Sequence, residues 1–537
     1  MNKYGFFRYK DFAFGAKESQ ELSSETEMQP WASVQQLKNG VPAPNFASFE
    51  QNAYITSKPL PLYKGSGELG FLTSFISEED GSFPNPPFIT IDFPEYFSMT
   101  GLTIHSRNVI SEVQIWGIRD GEVVEHGTFS ASEKVNFLPI TLELVNKIEI
   151  AITKINEPYH FLGIYDIEYG RSRDFGEPEI ESVRLTNNFS VLGDTIEYDT
   201  LDLTVVNPED EDGYLFQQKQ PIDYIVGNAV KQKFYIDSGD EHTNGTTDLL
   251  AYDETANLEG EFLGGIYENY PFSQLVSEIL RGYADYRIEA NEVLLSGYIP
   301  ICTRRKALQI ALLAANLRLY RSDCLVFMPL VSAVREEIFD QTNILENPQK
   351  TKKQPMRSVT VKYHNYSKGT EETEIHHWYL SKTEPTMITF SKPAHTLKAF
   401  EVVGTDNSGN DIVSETESEN VTFTETGANY CVVENSSDNK IVIIGIGYTD
   451  SSMELKKTNS VIGRNQLYKD YTVDITLHGN TEETLNLLFD LYSRKDTVRF
   501  KTIEDIDVGG LYNILGSIYH VKKKKNTLDG VYEVEAV

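Results

Sequence analysis

Residues 297–309 read GYIPICTRRKALQ and contain the start of the most clearly patterned helix in the chain. Small and apolar side chains recur along the run from Arg304 to Asn316, at Ala307, Leu308, Ala311, Leu312 and Ala315. A spacing of three and four residues places them on one face of a helix. Thr303 stands before the run, where its hydroxyl can accept a hydrogen bond from the first turn. The stretch therefore predicts a capped, amphipathic helix with one buried face.

Two further helices are predicted, one on each side of this stretch. Pro271 suits a first helical position, and Gly282 suits the position just past a helix end. The apolar face between them consists of Phe272, Leu275, Val276, Ile279 and Leu280. Asn480 and Glu483 have the spacing of a capping box at the start of a helix over 480–494. Its apolar face consists of Leu485, Leu488, Phe489 and Tyr492.

Most of the remaining chain has the patterns of strands. The 30 Tyr and 28 Phe residues suit half-buried sheets better than helical bundles. Apolar and polar residues alternate over 88–93, 101–105, 111–116, 147–152, 201–206, 358–363 and 471–477. Turn signals such as Asp80-Gly81 and Asp120-Gly121 separate the first of these strands. Short strands at this spacing predict a sandwich or jelly roll over residues 58–170.

Changes in pattern divide the chain into six segments. Residues 1–57 carry aromatic rings without a sustained period, and we interpret them as an extended arm that needs a partner surface. A disordered leader is the alternative, although disordered segments are usually poor in aromatics. After the jelly roll at 58–170, the charged residues 171–182 contain Gly and Pro and predict a linker. The chain is completed by an α+β domain at 183–335, a β-rich domain at 336–469 and a strand–helix–strand domain at 470–537. The segment 336–469 is either one domain or an insertion.

The composition excludes several classes of function. The net charge of -32, from 80 acidic and 48 basic residues, repels phosphate backbones and disfavours nucleic-acid binding. No stretch reaches the roughly 18 uncharged apolar residues that a membrane-spanning helix needs, so we expect no membrane insertion. Residues 1–17 lack the apolar core of a secretory signal. The sequence therefore predicts a protein that is made in a cytoplasm and stays soluble there.

The segment around residues 297–309 resembles tail proteins of phages and prophages of Firmicutes, including tail-derived bacteriocins. The resemblance is carried by 297–309, by Arg321-Ser322-Asp323 and by Met328-Pro329-Leu330. Upstream it is carried by Leu203-Thr204-Val205, by residues 215–221 (LFQQKQP) and by residues 264–267 (GGIY), in the same order as in that family. Arg304 stands where Cys is common in the relatives.

The N-terminal domain is similar to galactose-binding-like jelly rolls of the same tail proteins. Residues 67–72, 77–83, 86–91, 101–105 and 156–159 carry this resemblance. Together the resemblances cover roughly residues 60–335, and the order of elements over 470–537 looks like the closing domain of tail hub proteins. The fold that they imply is mainly β and multidomain with a few α-helices (α+β), with a jelly roll and hub-type β-barrel domains.

No residue pattern points convincingly to catalysis, a cofactor or a metal. Cys302, Cys324 and Cys431 are scattered, and we interpret them as reduced structural thiols. His376 and His377 are adjacent, so on a strand their rings would point to opposite faces. Residues 406–417 partly match a calcium loop but lack its required Gly, which favours a polar hairpin turn. The basic run 522–525 predicts a strand edge protected by lysines, with a polyanion site as the less favoured alternative.

The jelly roll is the one domain with candidate ligand-binding residues. Discoidin-type domains often bind sugars through loops at one end. Trp116, Arg119, Tyr159 and His160 are the candidates for carbohydrate binding, because aromatic faces stack on sugar rings and polar groups fix hydroxyls. Trp116 could equally be buried in the sandwich core, and a purely architectural role for the domain is the favoured alternative.

The resulting hypothesis is a structural, non-enzymatic baseplate hub or tail-tip protein of a phage tail or tailocin-like particle. The resemblance implies a homotrimeric ring that joins the tail tube to the spike and the baseplate of a contractile or non-contractile injection system. It also implies assembly in the host bacterial cytoplasm. A carbohydrate-binding tail adhesin that recognises the bacterial surface is the alternative, and a tail-associated wall hydrolase ranks last because no residue supports it.

Overall fold

The computed structural model describes residues 5–13, 15–28, 32–41, 69–130, 133–189, 195–206, 216, 218–226, 229–243, 245–330, 334–378, 383–460, 467–494, 496–527 and 530–537. Within these ranges, strands dominate and only four α-helices occur. The predicted mainly β, multidomain class with a few helices is therefore confirmed. None of the described helices combines the length and the apolar character that crossing a membrane requires.

The N-terminal part forms a two-sheet sandwich. The chain begins with β1 (Phe6–Phe12), which joins a different sheet. The elements of the sandwich are α1 (Ala16–Ser19), β2 (Glu21–Ser23), β3 (Phe71–Ile76), β4 (Phe88–Met99), β5 (Leu102–Ser106), β6 (Ile110–Arg119), β7 (Glu122–Phe129), β8 (Val135–Leu138), β9 (Leu142–Ile155) and β10 (Phe161–Glu168). One sheet has the order β2-β4-β9-β6-β7 and the other has the order β3-β10-β5-β8. Alternate residues such as Ile89, Ile91, Ile148 and Ile150 are fully buried in the shared core. The sandwich occupies the segment predicted as a jelly roll.

The next strands form what we call the first rolled sheet. They are β11 (Gly170–Phe175), β12 (Ile180–Asn188), β13 (Thr200–Val206), β14 (Pro221–Val226), β15 (Ala229–Glu241) and β16 (Thr246–Asp253). With β1 they follow the order β11-β1-β14-β15-β16-β13-β12. Phe175 on β11 and Leu185 on β12 come from opposite ends of this path but share one core with Phe234. The sheet is therefore curled around its own core in the manner of a barrel.

The N-terminal arm and the linker both differ from their sequence predictions. β1 pairs with β14 and β11 of the same chain, and Phe7 is buried there, so this ring needs no partner protein. Ala16 and Leu22 belong to the core of the sandwich. The predicted linker 171–182 is mostly strand, because β11 supplies the neighbour that β1 requires. The arm residues Phe14, Trp31, Phe46 and Phe49 lie outside the described residues.

The middle of the chain forms a compact helical unit. Its elements are β17 (Glu261–Phe262), β18 (Gly265–Pro271), α2 (Phe272–Leu280), β19 (Tyr286–Ile288), β20 (Leu294–Ile299), β21 (Cys302–Thr303), α3 (Arg304–Ala315), β22 (Leu317–Arg321) and β23 (Leu325–Pro329). The predicted apolar faces of both helices are buried in one core. The Thr303 hydroxyl caps α3 by accepting a hydrogen bond from the backbone N–H of Lys306. Pro271 is the residue before α2, one position earlier than predicted.

The last part of the chain contains a long hairpin and a second curled sheet, whose strands come both before and after the hairpin. Its elements are β24 (Ile338–Phe339), β25 (Gln349–Lys352), β26 (Met356–Trp378), β27 (Thr383–Thr389), β28 (Ala394–Thr405), β29 (Asp411–Val413), β30 (Val421–Thr426), β31 (Tyr430–Asn435), β32 (Ile441–Thr458), β33 (Lys469–Ile475), β34 (Leu477–His478), α4 (Thr481–Ser493), β35 (Asp496–Thr502), β36 (Leu511–Ile514), β37 (Ser517–Thr527) and β38 (Tyr532–Ala536).

The long hairpin of β26 and β32 carries a small domain at its far end, which we call the tip domain. β27–β31 and the distal halves of the two hairpin strands enclose a separate core that includes Ile388, Cys431 and Ile443. At the near end, Val359 and Val361 pack against Leu488 of α4. The predicted boundary at 469/470 is therefore misplaced, because β33 and α4 share a core with the hairpin rather than with the closing strands.

Six strands form the second rolled sheet. β25-β35-β38-β37-β36-β24 surround a core in which Phe339 of β24 and Phe500 of β35 lie 5.6 Å apart between ring centroids. β37 also pairs with β12, which joins the two rolled sheets edge to edge. The predicted strand edge at 522–525 is therefore wrong, because β37 has neighbours on both sides.

Gly297, on β20, allows the chain segment that follows β33 to approach β20 closely. Gly297 has a φ of +131°, a conformation that side chains rarely adopt. A Cβ at this position would lie 2.2 Å from the carbonyl oxygen of Thr476. The absence of a side chain is what allows β20 to pair with β34 through Gly297 and Leu477.

Candidate functional site

The four carbohydrate candidates lie on the sandwich, and the first of them is on the outside of a sheet. Trp116 is in the middle of β6, where its indole is half-buried. It stacks on His126 of β7 with 5.1 Å between ring centroids and lies 6.4 Å from Phe88. One indole face is therefore covered by His126, and Trp116 belongs to the outer surface of the five-stranded sheet rather than to the core.

The structure does not bring the four candidates together. Arg119 is at the end of β6, where its guanidinium donates to the backbone oxygens of Glu143 and Leu144. Tyr159 and His160 follow β9 and lie beyond the other end of β6, because Ile110 pairs with Ile155. The ten residues of β6 span about 30 Å. Only Tyr159 and His160 remain as a pair, and Tyr159 is partly exposed with a positive φ of 59°.

A buried charge cluster joins the helical unit to the first rolled sheet. Arg321, at the end of β22, lies 3.3 Å from an Asp199 oxygen and 3.0 Å from an Asp253 oxygen. All three side chains are almost completely buried. Asn187 and Gln232 donate to the second oxygen of Asp199 at 2.7 and 2.8 Å. Burial raises the pKa of the Asp199 carboxyl, and the Arg321 guanidinium opposes that rise.

A second arginine on the same strand reaches the other rolled sheet. Arg318 is 2% exposed, and its guanidinium donates to the backbone oxygen of Val508 at 2.9 Å. Gly509 leaves room for it, because a Cβ there would lie 2.5 Å from the guanidinium nitrogen. Burial lowers the pKa of Arg318. β22 therefore anchors both rolled sheets, and we call Arg318 and Arg321 the arginine clamp.

A polar cavity of about 300 Å³ lies beside the clamp. Asn187 and Lys231 of the first rolled sheet line it together with Lys524 and Asp505 from the second rolled sheet and its loops. The Lys524 ammonium lies 3.0 Å from the Asp505 carboxylate, so these charges neutralise each other. The cavity therefore lies at a joint between the two rolled sheets and β22 of the helical unit.

The calcium-like loop and the three cysteines, which were not expected to bind metal or to react, have the following surroundings in the described part of the chain. The Asp406 carboxylate accepts hydrogen bonds from the backbone N–H groups of Ser408 and Asn410 at 2.8 Å, as in a polar hairpin turn. No group of three or more His, Cys, Asp or Glu among the described residues is placed to hold a metal ion. Burial raises the pKa of Cys302 to about 11 and that of Cys431 to about 12. The side chains of His376 and His377 lie outside the description.

Sequence reasoning missed the arginine clamp and its acidic partners. Arg321 appeared only within the Arg-Ser-Asp turn of the resemblance, and Arg318, Asp199 and Asp253 were not noticed. The sequence offered no clear signal, because Leu317-Arg318-Leu319 alternates apolar and polar residues as a half-exposed strand does, whereas the structure buries all three positions. An arginine buried in this way needs an ionic or carbonyl partner.

The sequence matches no protein-family model and no curated protein. Two solved tail proteins align with part of this chain. The prophage tail protein gp18 from Listeria monocytogenes aligns over 68% of this chain and 90% of its own, at 10% identity and a TM-score of 0.40. The 43 kDa tail protein of prophage MuSo2 from Shewanella oneidensis aligns over 68% and 94%, at 10% identity and a TM-score of 0.38.

A carbohydrate-binding module also aligns with part of the chain. The family 32 module of C. perfringens NanJ, solved in complex with galactose, is covered over 99% of its length and covers 31% of this chain. The identity is 11% and the TM-score is 0.20. The TM-scores of these three structures lie below 0.5, so the similarities do not assign a function to this chain.

Proposed function

We propose that this chain is a structural, non-enzymatic component of a phage tail or phage-tail-like particle, acting as a baseplate hub or tail-tip protein. The observation that carries the proposal is the edge-to-edge union of two rolled sheets through β12 and β37, held from one side by the arginine clamp. Such a platform is suited to bear load rather than to turn over a substrate. The ordered resemblance of residues 60–335 to Firmicutes tail proteins agrees with this role.

The two joined rolled sheets, which we call the platform, would act by binding neighbouring proteins over a large contact area. In the proposed particle, three copies form a ring that joins the tail tube above to the spike and the baseplate proteins below. An obligate ring interface of this kind buries more than about 2,000 Å². In the described part of the chain the path of paired strands ends at β11 and β25, and we place the contacts with neighbouring copies at these two ends of the path.

The sandwich has an architectural role in this proposal. β2 and α1 fasten it to the same N-terminal segment that supplies β1 to the first rolled sheet, so the sandwich is tied to the platform at both of its ends. Its place would be outside the ring. The host bacterial cytoplasm would be the site of assembly.

Carbohydrate recognition by the sandwich is a second candidate function. The observation that favours it is the exposed turn of Tyr159 and His160, in which His160 Nδ1 lies 2.6 Å from the backbone oxygen of Pro158. Binding of the full chain to purified cell-wall glycan, lost on Tyr159→Ala and kept on Trp116→Ala, would support an adhesin. Equal binding by both variants would remove this turn as the site.

Electron cryomicroscopy of the intact particle tests the proposed function. We expect density for this chain as a closed ring on the tail axis, with the two rolled sheets facing the tube. Density at the periphery only, or a chain that stays monomeric in the presence of the other tail proteins, would contradict the hub role.

A further inference from the structure

A cavity of about 480 Å³ opens where the near end of the long hairpin meets the second rolled sheet. Its wall includes three lysines, Lys353, Lys469 and Lys522, together with Arg494 at the end of α4. No Asp or Glu is among the residues that line it. This concentration of positive charge is unexpected in a chain whose net charge is -32.

The three lysines differ from the other lysines nearby because they lack a carboxylate partner. Lys350, Lys362 and Lys524 each form an ion pair with an aspartate. No ion pair links Lys353, Lys469 or Lys522 to any carboxylate of the described chain, although Lys469 lies 4.8 Å from the Tyr471 ring centroid. Partial enclosure and the neighbouring charge of Lys522 lower the pKa of Lys353, and the Glu535 carboxylate opposes part of this shift without forming an ion pair with Lys353. The Lys353 and Lys522 ammonium groups therefore repel each other, and an anion bound in the cavity would reduce this repulsion.

Aromatic side chains form most of the remaining wall, which is completed by Gln354, Leu491 and Val537. Tyr471 and Tyr492 are stacked with 3.8 Å between ring centroids, and Phe189 meets His520 edge-on at 4.7 Å. The Arg494 guanidinium donates to the backbone oxygen of Ile518 at 3.3 Å, and burial lowers its pKa. Exposed lysines thus surround half-buried rings, a combination that suits a ligand with both carboxylates and an apolar anchor.

We infer that this cavity binds an acidic polypeptide segment with an aromatic or aliphatic anchor, contributed by a neighbouring protein. A long polyanion such as a nucleic acid is disfavoured, because outside the cavity it would meet the acidic surface of the chain. A short acidic segment places its charges within the cavity alone. The inference goes beyond the hub role and holds for the purified chain whether or not it forms a ring.

Fluorescence polarisation of the purified full chain tests this inference with a labelled peptide, Glu-Asp-Tyr-Glu-Asp, and its neutral counterpart, Gln-Asn-Tyr-Gln-Asn. We expect the acidic peptide to bind, the neutral one to bind at least about tenfold more weakly, and added salt to weaken the binding. Lys353→Gln/Lys522→Gln should reduce affinity for the acidic peptide about tenfold. Circular dichroism melts will show that this double variant is folded.

The matched control is Lys368→Gln/Lys392→Gln, which removes the same charge from exposed positions in the hairpin and the tip domain. Its affinity should stay within about twofold of the unmodified chain, because distant exposed charges are screened by salt. Equal losses in the two double variants would overturn the inference, since they would reveal a general charge effect. Failure of the acidic peptide to bind would overturn it too, as would binding of inorganic tripolyphosphate without binding of the peptide.

Discussion

Single residues decide whether neighbouring strands in this molecule can approach each other. Gly297 is an example, because its φ of +131° and the Thr476 carbonyl oxygen both exclude a side chain. Gly297→Ala should lower the stability of the helical unit by about 2 kcal/mol or more. Calorimetry will show this as a lower melting temperature. Gly447→Ala is the control, since a Cβ at Gly447 meets nothing within 4 Å, and an equal loss in both variants would contradict the explanation.

A buried histidine makes the second rolled sheet sensitive to acid. His520 is buried, its Nε2–H donates to the Gly509 backbone oxygen at 2.7 Å, and burial lowers its pKa from 6.5 to about 4. Between pH 6.5 and 4 the unfolded chain takes up a proton that the folded chain does not bind. Stability should therefore fall through this window as the pH is lowered, by up to about 3 kcal/mol, and the contribution of His520 to this loss is complete below it.

Melting temperatures measured from pH 7 to pH 3.5 test this dependence. His520→Gln keeps a donor for Gly509 but cannot ionise, so its melting temperature should depend less on pH between 6.5 and 4. The exposed His126→Gln is the control and should follow the unmodified chain. Parallel curves for the unmodified chain and His520→Gln would rule out His520 as the origin.

At the scale of elements, β22 holds the helical unit to both rolled sheets. Arg321→Met would leave Asp199 and Asp253 buried without their cation, which should destabilise the fold by about 3–5 kcal/mol. Arg287→Met removes an arginine with two exposed ion pairs and should change stability much less, because exposed ion pairs contribute little to stability. Urea denaturation followed by fluorescence will compare the two. Equal midpoints would show that the clamp contributes little.

The tip domain has a second attachment besides the hairpin that carries it. Asn429 is fully buried, and its amide donates to the backbone oxygens of Leu263 at 2.7 Å and Ile299 at 3.0 Å. Asn429→Ala would leave these groups unpaired at a cost of about 1–3 kcal/mol. We expect faster proteolytic cleavage in the tip domain, and no change for Asn410→Ala in an exposed turn. Unchanged cleavage of the Asn429 variant would mean that the hairpin alone positions the domain.

Local patterns predicted the elements better than they predicted their partners. The faces of α2 and α3 and the Thr303 cap follow from spacing within a few residues, so the sequence contained them. β1 was mistaken for part of an arm because its neighbours, β11 and β14, are more than 150 positions away along the chain. The sugar candidates were chosen by residue type, and only the register of β6 against β9 shows that they lie at opposite ends of a sheet.

At the scale of the whole molecule, units are built from distant segments. The sandwich takes Ala16, Leu22 and Leu37 from the N-terminal segment into its core. A fragment of residues 15–169 should therefore fold, whereas a fragment of residues 58–170, the domain predicted from the sequence, should not. Amide dispersion in NMR spectra of the two fragments will decide. A well-folded shorter fragment would show that these contacts are dispensable.

The pairing of β12 with β37 also has a consequence for synthesis on the ribosome. Arg184 and its partner Thr527 are about 340 residues apart along the chain. At a translation rate of about 5–20 residues per second, β12 spends roughly 20–70 s on the nascent chain with that edge uncovered. During this interval β12 is an open template for strands of other nascent chains. The pairing of β12 with β37 makes the finished platform continuous. The wait for this pairing is thus also the stage at which polysomes producing this chain most need a chaperone.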